Sequence, residues 1–217
     1  LEAEPACHFE TVEQTIAFFD AQIFSKKSVK KFHEMSGRGE EFLRAHAGVC
    51  FDACHSAIQF EDPGEALTRL ARAGVKIAKF QISAGLEVQI APGDTLESLE
   101  PFAEGVYLHQ VVERRDGRTT RYVDLPEAIA AVRRAPDASR TWRIHFHVPI
   151  FRESLGPFSS TQRDLSRLLE IIRRESPAPH LEVETYCWDV LPPEHRQDDI
   201  VTAVARELSW AAERLAR

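Results

Sequence analysis

Carboxylate, imidazole and amide side chains recur at alternate positions in five short stretches of this chain. They are residues 1–5 (Leu-Glu-Ala-Glu-Pro), 49–55 (Val-Cys-Phe-Asp-Ala-Cys-His), 77–83 (Ile-Ala-Lys-Phe-Gln-Ile-Ser), 144–149 (Ile-His-Phe-His-Val-Pro) and 181–186 (Leu-Glu-Val-Glu-Thr-Tyr). Side chains along a strand point alternately to its two faces. Read as strands, these stretches place Glu182, Glu184 and Tyr186 on one face, and His145 and His147 opposite Ile144, Phe146 and Val148. A strand of a parallel sheet is normally apolar on both faces, so five strands that each carry one polar face point to a shared polar chamber. Glu4, Asp52, His55, Gln81, His145, His147 and Glu184 fall at or near the ends of their strands. Carboxylates and imidazoles from different strands suit a divalent ion, and this mix fits Mg²⁺, Mn²⁺ or Zn²⁺ without choosing among them. A single strand histidine is more often a core residue and a single glutamate more often solvent-facing. The recurrence at the same relative place in five segments is what carries the metal reading.

The elements that must position these groups alternate along the chain. Thr11 and Gln14 form a capping-box pattern that opens a helix through about Phe24. A Lys-rich, Gly-containing stretch over 25–39 leads to a short helix near 40–46, and the strand to Asp52 follows. Asp62-Pro63 caps and starts a helix that Gly74 ends, before the strand at 76–83. Residues 84–140 break the rhythm with a short helix near 96–102, a hairpin around Asp116-Gly117, and a helix from Pro126 to about Arg134. The strand at 142–149, a helix over 161–174, the strand at 180–187 and a last helix over 194–215 complete the chain. That last helix aligns Ile200, Val204, Leu208, Ala211 and Leu215 on one face. Repeated β-then-α units imply α/β architecture with a parallel sheet. A doubly wound sheet and a (β/α)₈ TIM barrel both fit, and polar residues at the carboxyl ends of successive strands favour the barrel.

Composition narrows the function classes. The 217 residues carry a net charge of −7, and the Arg pairs sit at element ends with no basic stripe interleaved with aromatics, so no nucleic-acid partner is expected. No apolar run approaches a membrane span, and without a leader-like run the expected compartment is cytoplasmic. Four cysteines without a CxxC pair read as free thiols. Cys50, Cys54 and His55 do not read as a zinc site, because two cysteines four apart on one strand give poor tetrahedral geometry.

Several of these residues carry a resemblance. Glu4-Pro5 with Glu10 six residues on from Glu4, Asp52-x-x-His55, the polar strand end at Gln81 and the terminal Glu184 are similar to the xylose-isomerase-like TIM-barrel superfamily, which includes sugar epimerases, hydroxypyruvate isomerases, inosose dehydratases and endonuclease IV. More closely, residues 1–7 (Leu-Glu-Ala-Glu-Pro-Ala-Cys), 107–111 (Tyr-Leu-His-Gln-Val), 145–151 (His-Phe-His-Val-Pro-Ile-Phe) and 180–192 (His-Leu-Glu-Val-Glu-Thr-Tyr-Cys-Trp-Asp-Val-Leu-Pro) resemble the metabolite-traffic family EboE over nearly the whole chain. The superfamily resemblance implies that Glu4, Asp52 and Glu184 are metal-binding carboxylates. Gln81 stands where sugar epimerases have a metal-binding His, and His147 completes the expected ligand set with these four. Glu10 and His55 match substrate-contacting positions, His145 and His147 match extra histidines of the nuclease branch, and Lys79 could hold a substrate oxyanion or pair with a neighbouring Glu.

The fold this implies is one xylose-isomerase-like domain spanning 1–217, an N-terminally truncated portion carrying about strands 4 to 8 of an eight-stranded barrel, with a hairpin insertion near 105–124. The implied chemistry is isomerase- or epimerase-like turnover of a sugar or polyol, in which a divalent metal chelates adjacent oxygens of a hydroxy-ketone. Glu4 and Glu184 would then remove and return a proton at carbon. One alternative is a non-catalytic protein that binds and escorts a small metabolite, such as a secondary-metabolite precursor, using the same pocket. The other is a metal-dependent phosphodiesterase of the endonuclease IV kind, which the acidic charge disfavours. Five strands of eight would leave two open edges, so the isolated chain is expected to be poorly soluble or homo-oligomeric, and inactive on sugars.

Overall fold

The computed structural model describes residues 1–175, 180–184, 186–196 and 198–216. Thr11 caps α1 (Val12–Phe18) through the expected reciprocal bonds with Gln14, and the helix continues as a π-helical turn over Phe19–Ile23. The Lys-rich stretch read as a connector is itself a helix, α2 (Lys26–Ser36), capped by the Ser25 hydroxyl and ended by Gly37 at φ +68°. It buries no residue, so no apolar period announced it. Then come α3 (Glu40–His46), β1 (Gly48–Asp52), α4 (Ala53–Ile58), α5 (Pro63–Arg72) and β2 (Lys76–Ile82). Asp62 caps α5 with Pro63 in its first turn, and Gly74 follows at φ +67°, as the sequence predicts.

After β2 the chain runs directly into β3 (Gly85–Ile90), then a 3₁₀ turn over Glu97–Phe102, β4 (Val111–Arg115), β5 (Arg118–Tyr122), α6 (Leu125–Arg134) and β6 (Arg140–His147). Two short strands, β7 (Ser154–Leu155) and β8 (Phe158–Ser160), precede α7 (Gln162–Glu175). The chain closes with β9 (Leu181–Val183), two 3₁₀ turns and α8 (Ile200–Ala216). No helix among the described residues is long and apolar enough to cross a membrane.

The α/β class is as expected, but the strands divide between two sheets and no closed barrel forms among the described residues. The first sheet is parallel, in the order β1-β2-β9, and Glu2 extends it through a parallel bridge to Cys50. The second is antiparallel, in the order β5-β4-β6-β3-β8-β7. So β6, read as one of five consecutive parallel strands, pairs antiparallel with β3 and β4 instead. The reason lies in the connection after β2. Parallel neighbours need a crossover of a dozen or more residues, and β3 begins three residues after β2 ends. Its alternation of Leu86, Val88 and Ile90 with Glu87 and Gln89 makes it a half-buried strand, which β6 joins from the opposite direction. The hairpin over 105–124 is not an excursion, since β4 pairs with β6 inside the same sheet. Asp116 and Gly117, at φ +50° and +73°, turn that hairpin. Two other segments are shorter as strands than they read: 49–55 leaves the sheet at Asp52 to start α4, and 181–186 is strand only through Val183, with Thr185 outside the described residues.

One apolar core joins the two sheets, running from Phe51, Phe80 and Ile82 to Trp142, Phe146 and Leu169. The short α4 is wedged between them, touching β1 and β2 on one side and β3 and β6 on the other. Arg143 of β6 is buried against this wedge and gives its guanidinium to the Ala57 carbonyl (2.6 Å), Glu87 (2.8 Å) and Asp164 (2.8 Å). On the remote face of β6, Glu113 accepts from the Trp142 indole at 2.8 Å and pairs with Arg140 at 3.4 Å, so both buried charges are satisfied. The buried line of α8 is Ala203, Glu207 and Ala211, whereas Ile200 and Leu208 of the expected apolar face are exposed. Alanines let this helix approach the core closely, which longer side chains would prevent.

The closest approach of α4 falls at Gly85. A Cβ there would stand 2.7 Å from Ile58 Cδ1 and 2.9 Å from Cys54 Sγ. Gly85→Ala is therefore expected to destabilise the protein by about 1–3 kcal/mol through overpacking. Thermal or urea unfolding measures this directly, and an unchanged midpoint would show that the wedge has slack.

Candidate metal centre

The polar face of the parallel sheet carries the site. Register sets Cys50 beside Lys79, Asp52 beside Gln81, and Gln81 beside Glu182. Alternation then brings Glu2, Asp52, Gln81, Ser83 and Glu184 to one side, away from Phe51, Phe80 and Ile82. Asp52 ends β1 and caps α4, so Oδ1 accepts the His55 backbone N–H at 2.9 Å and the Ser83 hydroxyl at 2.8 Å. One turn of helix then lifts His55 over the strand end, while β6 delivers His145 and His147 from the opposite sheet.

Three imidazoles converge there. His55 Nε2 lies 3.0 Å from His145 Nε2, which lies 3.2 Å from His147 Nε2. All three residues are buried. The outer nitrogen of His55 meets the Ala3 carbonyl (3.0 Å) and the Glu2 carboxylate (3.3 Å), both acceptors, so it carries a proton. His145 Nδ1 is 2.7 Å from Gln110 Oε1 and donates to it, which leaves the His145 Nε2 lone pair facing the cluster. Within this cluster, the buried atoms Asp52 Oδ2 and His147 Nδ1 have no hydrogen-bond partner.

Electrostatics separates these groups. Burial opposes the charge of Asp52, but the neighbouring His55 and His147 hold its carboxyl well below the usual range. Burial, then hydrogen bonding with Asp52 and its charge, pushes Glu184 up to about 8, so at neutral pH a carboxyl proton is held between the two acids. Burial alone would lower His55, yet the charge of Asp52 and the contact with Glu2 raise it to about 9. Burial lowers His147 to about 4 against the pull of Asp52, and it also lowers His145, with the charges of His55 and His147 adding to the effect. At pH 7 the centre holds one imidazolium and two neutral imidazoles.

This donor set fits a metal ion. His55, His145 and His147 each offer a nitrogen within 4.8 Å of the other two, as do Asp52, Cys54 and His147, and Glu2, Asp52 and His55, counting an oxygen or sulfur where that is the ligand. Bonds of about 2.0–2.1 Å in a tetrahedron put neighbouring nitrogens about 3.3 Å apart, close to the spacings here. Outward N–H groups held by a carbonyl, carboxylate or amide oxygen are the usual support for metal-binding imidazoles.

The expected residues divide accordingly. Asp52, His147 and Glu184 meet, and Gln81 joins them by donating to Glu184 while accepting from the Cys50 thiol. Glu4 stays exposed outside these groups and accepts from Cys7 at 3.4 Å; Glu2, on the same strand parity, occupies the place expected of it. Glu4 is bonded to Cys7 and Glu184 to Gln81, so the two acids expected to act as a pair have separate partners. His55 and His145, expected to touch substrate, stand among the potential ligands. Glu10 is taken up by Arg121 at 2.9 Å and the Ala6 N–H at 2.9 Å. Lys79 pairs with Glu182 at 2.8 Å, the ion-pair alternative. Sequence reasoning passed over Glu2, Ser83 and Gln110. The first two share the parity of Glu4 and Gln81, and Gln110 lies inside the 107–111 motif.

The proton on His55 has a pH signature in the metal-free protein. Its folded value of about 9 exceeds the ordinary 6.5, so its contribution is complete below about pH 6.5 and is lost as pH rises through 9. Glu184, raised from 4.5, contributes stability that is lost as pH rises from 4.5 through 8, while His147, lowered, removes stability as pH falls from 6.5 toward 4. Denaturation in chelator across pH 5–10 should show an alkaline decline, on the order of 3 kcal/mol from His55. His55→Gln should flatten it above about pH 8, where Glu184 no longer contributes; an equal slope there in that variant would mean that His55 is neutral.

No protein-family model, curated protein or solved structure matches this chain, and its own residues are the basis for reading the site.

Proposed function

We propose that the buried cluster is a divalent-metal centre for isomerase- or epimerase-like proton transfer on a sugar or polyol, in a small-metabolite protein of the cytoplasm. The observation that carries this reading is the pair Asp52 and Glu184. Two adjacent carboxyl groups are driven apart in acidity, and Glu184 is tuned to about 8, near the operating pH of a general acid or base. His55, His145 and His147 would hold the ion, leaving a position open to substrate oxygens. Their nitrogen-rich set suits Zn²⁺ better than Mg²⁺, with Mn²⁺ between. When bound, such an ion polarises adjacent oxygens of a hydroxy-ketone. Once the proton it shares with Asp52 has left, Glu184 would take the proton from the carbon beside the carbonyl and return it, with Asp52 beside it and Gln81 donating to the Glu184 oxygen. Polar strand ends gathered along Glu2, β1, β2 and β9 are what a stretch of xylose-isomerase-like barrel wall would present, which supports that superfamily and the EboE-like family within it.

Two measurements test the proposal. Zinc at a hundredfold over its dissociation constant should stabilise the protein by about 2.7 kcal/mol. Incubation with ketoses in D₂O should wash solvent deuterium into the carbon beside the carbonyl, and Glu184→Gln should slow this at least about a hundredfold with metal still bound. Metal retention and metabolite binding without exchange would instead favour the escort role. Failure to take up any divalent ion would remove the metal reading altogether.

A further inference from the structure

The three imidazoles are shut away from solvent, His55, His145 and His147 being 5%, 8% and 5% exposed. Against His147 stands an aromatic group that the proton transfer leaves unused. The ring of Tyr186, two residues beyond Glu184, meets the His147 ring edge to face with centroids 5.8 Å apart, and the Tyr107 ring at 4.6 Å. Tyr186 is still 51% exposed, so half of it faces water. Tyr107 is fixed by its own loop. Glu104 accepts the Val106 and Tyr107 N–H groups and lies 2.9 Å from His109 Nε2, while Nδ1 of the fully buried His109 lies 3.2 Å from the His145 carbonyl. The loop over 104–109 is thereby pinned to β6, which carries two of the imidazoles. Partial burial, then Tyr107, Cys187, Glu4 and Glu184, push the Tyr186 phenol above its ordinary value, so both acids lie within electrostatic reach of it.

We infer that Tyr186 is the surface on which a cyclic sugar rests at the mouth of the centre, with Tyr107 as the fixed ring behind it. A closed sugar ring carries C–H groups on its faces and hydroxyls around its rim. A half-exposed aromatic ring takes the C–H face, and carboxylates beside it take the hydroxyls, the mixture of apolar wall and few polar groups that small-molecule sites use. The exposed Glu4 accepts hydroxyls at the rim, and the half-buried Glu184 lies deeper. Tyr186 touches the substrate away from the reacting carbon, so it holds ground state and transition state alike and acts on KM, not on kcat. The inference rests on the reading of this centre as one that acts on a sugar, and adds the face by which the sugar is held.

The test uses the whole chain with zinc, and the ring-forming ketoses D-fructose and L-sorbose as probes. In the deuterium-exchange assay, Tyr186→Ala should raise KM about tenfold and lower kcat by less than about twofold, the size expected for one aromatic contact. Tyr186→Phe, which keeps the ring, should restore most of the loss, whereas Tyr186→Leu should not. Zinc affinity in chelator competition should be the same in all three, which separates a substrate surface from a support for His147. A second readout needs no turnover: saturating the aromatic protons of the protein should transfer magnetisation to the carbon-bound protons of the ketose, and Tyr186→Ala should abolish this. A KM in Tyr186→Ala within about twofold of wild type, or transfer that is undiminished in that variant or missing from the wild type, would overturn the inference. If the wild type exchanges no deuterium, the isomerase reading fails and magnetisation transfer alone decides whether Tyr186 holds the sugar. Exchange with a KM that ignores Tyr186→Ala would leave the isomerase reading standing and sink the inference.

Discussion

Buried ionisable groups gathered in one place set the terms for the structure around them. Asp52, His55, His145 and His147 are each almost fully removed from water, and an isolated charge in such surroundings would be very costly. They persist because each is the partner of another. The Asp52 carboxylate answers the His55 imidazolium, His145 accepts from it, and Ser83 and the first turn of α4 saturate Asp52 Oδ1. Removing one member strands the rest. The cluster is therefore a constraint on the fold as much as a possible site of chemistry.

Meeting that constraint requires side chains from two sheets of different kind to touch. The wedge helix α4 makes this possible, since it starts on the parallel sheet at Asp52 and packs on the antiparallel sheet at β3 and β6. Gly85 and the small residues Ala53 and Ala57 keep its separation from both sheets short enough for His55 to reach His145. Arg143 locks the far end of the same helix by taking the Ala57 carbonyl.

How much of this could be read in the sequence depended on the range of the signal. Local signals were legible: the Thr11–Gln14 box, Asp62-Pro63, the Asp116-Gly117 turn and the polar alternation in β2 each appear where their residues place them. Strand partnership was not. Residues 144–149 have the alternation of a strand in either kind of sheet, and only the short passage from β2 into β3 reveals which sheet they join. The same gap hid the helical start after Asp52, because Val-Cys-Phe-Asp-Ala-Cys-His continues a plausible strand until the Asp cap is seen to end it. Glu2 was missed for Glu4 because both share one face and only the parallel bridge to Cys50 shows which of them sits beside the cluster. Glu207 lay inside an apparently apolar helix, and its burial follows from how α8 is rotated, which the pattern of larger side chains misreports.

The spread of the cluster along the chain has a consequence for the order in which the molecule assembles. His55 and His145 are 90 positions apart, and Gln81 and Glu184 are 103 apart. Loop closure on that scale is slow relative to local pairing. The β1-β2 pair can dock as soon as residue 82 is made, yet β9, which borders it, follows only after the whole antiparallel sheet. Emerging from a ribosome, the chain therefore holds β2 as a bare sheet edge and Asp52 as a half-built charge pair until β9 is made. The buried centre closes only once β9 is in place, and its acid and imidazole groups spend that interval in water, where they titrate as ordinary side chains.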